Sequence, residues 1–208
     1  MSPVAFGFRA VKGGSVVVAI ATENREPRLV LSTYLATGTD GDRLSIEPYH
    51  LAAEIAQRDA HGGISAEVKA IVVEGRKRQD ALAARGLDAL VGELKGIGHQ
   101  PVLAALLVNR AGWITDLLVY SLAALEHPPV AEGLAVRNAL RFALSQSGIR
   151  AVELDEKSLP DVASTALCLS AADIDARLRS FGKSAGRPWR KEQKLACLAA
   201  WIAIASGR

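Results

Sequence analysis

Two kinds of apolar pattern divide this chain into elements. Residues 102–108 are seven apolar residues in succession, opened by Pro101 and closed by Asn109. A run of that length without alternation predicts a strand over 102–109 covered on both faces, at the centre of a sheet sandwiched by helices. Two β-rich runs, 4–9 and 15–22, flank Val11-Lys12-Gly13-Gly14. The paired glycines can take the positive φ of a tight hairpin turn. A third run, 28–37, follows a polar turn at 23–27. Three strands on short turns make an antiparallel meander.

Helical spacing dominates elsewhere. Leu51, Ala52, Ile55 and Ala56 form one stripe of a helix over 47–60, which Gly62 and Gly63 stop. Ser65 caps a helix reaching towards Leu94, with interruptions at Gly75, Gly86 and Gly92. Ala-Ile-Val-Val-Glu at 70–74 also fits a short strand, but its flanks lack turn chemistry and helix is preferred. Beyond Gly112, Thr115 caps a helix to 126, and Asp116 suits its positive end. Pro129 opens a helix over 130–147, with the stripe Leu134, Ala135, Ala139 and Phe142. There Glu132 suits the dipole, and Asn138 interrupts the stripe as a hydrogen-bonded packing residue. A short strand occupies 149–154, and 158–166 reads as a loop. Ser170 to Asp173 resembles a capping box; Ile174, Leu178 and Phe181 form that helix's stripe and Gly182 its stop. A basic loop, 183–190, leads to a last helix over 191–206, uncharged beyond Lys194 and therefore buried on most sides.

Composition narrows this little. At 208 residues the chain predicts one domain, 1–208. Half the residues are hydrophobic but 5% are aromatic, so Ala, Leu and Val build the core. A net charge of +3 permits nucleic acid as a partner without arguing for it. Cys168 and Cys197 lie in apolar surroundings and read as buried, reduced thiols. No signal-peptide pattern opens the chain, and its longest apolar run is too short to span a bilayer. The expectation is a soluble, cytoplasmic protein without membrane contact. The four histidines show no ligand spacing, and Gly-x-Ser-x-Gly and phosphate-loop motifs are absent.

Three strands, helices, strand, helices, strand, helices is an order for a mixed five-stranded α/β sheet: a three-strand meander, then two strands reached by helical crossovers, with helices on both faces. This order, the hairpin from Phe6 to Ser15, and the alanine-rich segment from Glu192 to Trp201 resemble the ribonuclease H-like superfamily, in the branch of RuvC-type Holliday-junction resolvases. The resemblance implies nucleic-acid binding. In active members it implies acids on the first strand, at the end of the fourth and on the last helix, holding two Mg²⁺ or Mn²⁺ ions about 4 Å apart. Here those positions are Arg9, Asn109 and Glu192. Arg9 repels a cation, so the resemblance implies a divergent or catalytically silent member with no resident metal. Mg²⁺ enters if an acidic site survives among the weak catalytic candidates Glu192, Glu153 and Asn109.

For nucleic acid, the basic stretch from Arg177 to Lys194 carries Arg187, Trp189, Arg190 and Lys191; Arg9 and Lys12 would adjoin it. Cations take phosphates and exposed rings stack on bases, although Trp189 reads equally as an anchor on the sheet. Glu153 and Asp155 would share one strand face, where a cation could sit; an ordinary polar strand end, with Glu156, is the other reading. Two alternatives stand beside nucleic-acid binding. One is a homodimer through helices 115–126 and 130–147. The other is an enzyme for a small molecule or nucleotide on the same sheet.

Overall fold

A computed structural model describes residues 1–24, 26–58, 64–109, 111 and 113–207. The meander forms as expected: β1 (Ser2–Val11), β2 (Gly14–Glu23) and β3 (Glu26–Ala36) pair antiparallel in succession. Gly13, at φ +73°, makes the first turn. Then come α1 (Arg43–Ile46), α2 (Pro48–Arg58) and α3 (Ala66–Gly96). The apolar run becomes β4 (His99–Val108), followed by α4 (Leu117–Ala123) and α5 (Pro128–Gln146). The chain closes with β5 (Arg150–Asp155), α6 (Leu159–Leu167), α7 (Ala171–Ala185) and α8 (Lys191–Ser206). The strand order is β3-β2-β1-β4-β5, with β4 parallel to both β1 and β5. The mixed five-stranded sheet is therefore as read, but its central strand is β1. β4 lies one place out, and Val102 within it is 45% exposed.

Strand alternation feeds two cores. Ala5, Val16, Val18, Ile20, Leu103, Ala105 and Leu107 face α6, α7 and α8. Val4, Phe6, Phe8, Val17, Ala19, Ala104 and Leu106 face α3 and α5. That is why the run does not alternate over 103–107: both faces are covered there. Nine consecutive residues of α8, Ala196 to Ile204, are buried.

Several boundaries differ from the sequence reading. Residues 158–166 are not a loop but most of α6: Pro160 is tolerated in its first turn, and Leu159 and Ala163 bury one face. α3 runs unbroken through 70–74 and its glycines; at Gly75 a Cβ would meet Pro48 Cβ at 2.4 Å, so the glycine admits α2. Gly182 does not stop α7 either. A Cβ there would meet Trp189 Cδ1 at 2.3 Å, and the helix ends instead at Gly186, φ +75°. The cap of α4 is Asp116 rather than Thr115, accepting the N–H groups of Leu118 and Val119, and the helix ends at Ala123. Cys168 is exposed, in left-handed conformation at the end of α6; Cys197 is buried. Residues 59–63, the expected stop of α2, lie outside the described residues. Among the described residues no helix is long and apolar enough to cross a membrane.

Glu132 does not serve its own helix's dipole. It is 5% exposed, and its Oε1 accepts the N–H groups of Tyr49 (2.7 Å) and His50 (3.1 Å) at the start of α2. Oε2 is buried without a partner among the described residues. Burial pushes its pKa up to about 8, against the two N–H bonds that lower it. The folded state thus keeps a proton that the unfolded chain gives up above its ordinary 4.5. Stability present in acid falls as pH rises through 4.5 to 8, then levels off. Glu132→Gln keeps the acceptor oxygen and removes the titration. The wild type should lose roughly 2–4 kcal/mol more than Glu132→Gln between about pH 5 and pH 9 in urea unfolding, and parallel profiles would refute the assignment.

At Gly7 the sheet and α8 approach backbone to backbone. A Cβ there would lie 1.9 Å from Ala196 O and 2.8 Å from Ala200 N. Gly7→Ala forces α8 off the sheet and should cost about 3 kcal/mol or more, measured as a drop in urea midpoint.

Candidate functional site

Because β1, β4 and β5 run parallel, their carboxyl ends open on one edge of the sheet, where such folds place ligands. Arg9 lies near the end of β1, Asn109 one residue past β4, and Glu153 to Glu156 at the end of β5. The start of α8 is joined to this edge through the contact of Glu192 with Arg9.

At its middle Arg9 is clamped between two carboxylates. Its Nε and Nη2 each donate to Glu156 at 3.1 Å, and its Nη1 stands 3.5 Å from Glu192 Oε1. All three side chains are largely buried, at 20%, 26% and 33% exposure. A bidentate, charge-assisted pair of this kind is among the stronger polar contacts. Glu156 was legible as part of the acidic strand end. Its partner was not, since 147 residues separate it from Arg9.

The remaining candidates resolve as follows. Asn109 Oδ1 accepts from Arg137 Nη1 at 3.0 Å, and Arg137 Nε donates to Leu107 O at 3.2 Å. Burial weakens the hold of Arg137 on its proton. Glu153 pairs with Arg141 at 2.6 Å, and Arg141 also donates to Asn138 Oδ1. Asp155 Oδ1 accepts the N–H groups of Lys157 and Ser158 in the turn after β5. Lys12 pairs with Glu47 at 3.0 Å. Trp189 is a partly buried anchor: its indole N–H donates to Leu178 O and its ring rests on Gly182. Arg187, Arg190 and Lys191 are exposed. Leu134 and Phe142 flank, rather than form, the buried stripe of α5, which is Ala131, Ala135, Val136, Ala139, Leu140, Ala143 and Leu144. That stripe packs inside the monomer. Val119 and Leu125 remain exposed, beside a groove of about 780 Å³ between α2 and α4.

A two-metal centre does not fit this edge. It needs several carboxylate oxygens around each ion. Here Glu156 and Glu192 converge on a guanidinium, and Asn109 is neutral and engaged. Among the described residues no group of three His, Cys, Asp or Glu side chains could hold a metal ion.

No protein-family model and no curated protein matches the chain. Solved structures do. The Thermus thermophilus RuvC structure is similar over 99% of this chain and 95% of that one, at 15% identity and a TM-score of 0.53. RuvC of T. thermophilus in complex with Holliday junction substrate is similar over 99% and 94%, at 12% identity and a TM-score of 0.50. The fold is therefore that of the ribonuclease H-like proteins. Within that class it is the arrangement found in RuvC.

Arg9→Met would leave Glu156 and Glu192 sharing one site. The variant should lose about 1–2 kcal/mol in metal-free buffer and gain a thermal shift with Mn²⁺ that the wild type lacks. A variant indifferent to Mn²⁺ would mean that the two carboxylates do not share a site.

Proposed function

We propose that this protein binds nucleic acid through the carboxyl edge of its sheet and does not cleave it by metal-dependent hydrolysis. The observation that carries the reading is the clamp at Arg9. A fixed guanidinium neutralises the two carboxylates that converge there, at the place where the RuvC-type fold gathers its strand ends. With those acids satisfied, the exposed cations beside them set the character of the edge. Arg187, Arg190 and Lys191 make no ion pair with any described residue and stand where the loop before α8 meets the edge. Trp189 holds that loop in place, so these cations are presented from a fixed backbone. Phosphate contacts of this kind release counterions and bind without regard to base sequence. The RuvC structure that holds a Holliday junction makes DNA a reasonable first ligand.

Fluorescence anisotropy with labelled single-stranded and branched DNA, and with RNA, tests the reading. Binding should weaken steeply with salt, and Arg187→Ala with Arg190→Ala should weaken it about tenfold or more and reduce the salt slope by about 2. No binding even at low salt would sink the proposal, as would Mg²⁺- or Mn²⁺-dependent cleavage abolished by Glu192→Ala.

A further inference from the structure

Beside the Arg9 clamp lies a separate cavity of about 230 Å³ at the end of β4. Its polar wall is Asn109, Thr115, Arg137, Asn138, Arg141 and Glu153. Arg137 is the unusual member. It is partly buried, yet its hydrogen bonds go to two neutral oxygens, Leu107 O and Asn109 Oδ1. No carboxylate of any described residue pairs with it, and its Nη2 has no protein acceptor among them. Glu156 and Glu153 act on it only from beyond ion-pairing distance, and a partly desolvated guanidinium so placed gains from a ligand that brings an opposite charge into contact. The neighbours are arranged for that ligand. Asn109 and Asn138 each spend their amide oxygen on an arginine, which leaves their N–H₂ groups as donors. Arg141 is half-committed, pairing with Glu153 through Nε while that glutamate forms part of the cavity wall. Among the described residues, two arginines and one glutamate give the wall a net charge of +1.

We infer that this cavity seats a single phosphate group, with Arg137 as its principal charge and Asn109, Asn138 and Arg141 as supporting donors. Donors converge from α5 and from Asn109 just past β4, which suits a tetrahedral oxyanion better than a planar carboxylate. A phosphodiester of a bound strand and a free phosphate compound share this chemistry. The strand as source rests on the nucleic-acid reading above; the pocket itself does not.

Thermal shift with inorganic phosphate, at constant ionic strength against chloride, reads the pocket directly. The wild type should show a saturable rise in Tm, and Arg137→Met should lose it. Since Arg137 also ties down the end of β4, two exposed positions serve as folding-safe variants. Glu153→Gln removes the negative wall and frees Arg141, so phosphate should bind roughly three- to tenfold more tightly. Arg141→Met leaves Glu153 uncompensated and should weaken phosphate about tenfold. A purely structural Arg137 predicts no effect from either. A response that is unsaturable, or unchanged in Glu153→Gln and Arg141→Met, overturns the pocket. A single-stranded oligonucleotide that competes with phosphate supports the phosphodiester source. Phosphate binding that Arg137→Met abolishes, without any oligonucleotide binding, supports the pocket while the strand reading falls. Oligonucleotide binding without a phosphate response overturns the pocket and leaves the strand reading standing.

Discussion

At Gly7 the backbone of β1 touches the backbone of α8, and no side chain can come between them. Two periodicities then lock together. Alternate residues of a strand advance about 6.6 Å, and residues four apart on a helix about 6.0 Å. Ala5, Gly7 and Arg9 therefore look up at α8 in steps that nearly match a turn of helix. With Ala196 seated on Gly7, Glu192, one turn earlier, falls beside Arg9. The chemistry of the edge thus hangs on a contact between small residues two positions away from it. The small side chains of α8 serve this approach as much as helix propensity.

The edge that results is built from charges that satisfy one another. Arg9 answers Glu156 and Glu192, Arg141 answers Glu153, and Lys12 answers Glu47. Where the RuvC-type fold gathers its strand ends, this chain supplies its own immovable cation. Arg137 breaks the balance, since its partners are neutral. The exposed cations before α8 break it again. That imbalance of charge is the physical reason that joins the proposed function to the proposed pocket.

How much could be read beforehand depended on the range of the deciding contact. The strands, the hairpin turn at Gly13 and the caps at Ser65 and Ser170 rest on neighbours within a few residues, and all were legible. Errors came where local chemistry gave way to a distant partner. Ser158 and Pro160 suggested a loop, yet Leu159 and Ala163 had α8 to pack against. Gly182 resembled a helix stop but is a seat for Trp189. Glu132 lay near its own helix's start and instead caps α2, 83 residues before it. The same limit governed the site. Arg9, Asn109 and Glu192 were all picked out, but the pairing of Glu156 with Arg9 and of Arg137 with Asn109, which decides what they do, was not legible.

The sequence by itself determined that the core of the run at 102–108 is buried on both sides, that a meander precedes it, and that the last helix is enclosed. Hydrophobic pattern carries this, because burial acts on each residue separately. It also put an arginine near the end of the first strand. What that arginine does was decided by tertiary structure. The crossovers and the last helix bring residues 156 and 192 within hydrogen-bonding or ion-pairing distance of residue 9. Charge pairing depends on distances of a few ångströms, and only the folded chain sets those.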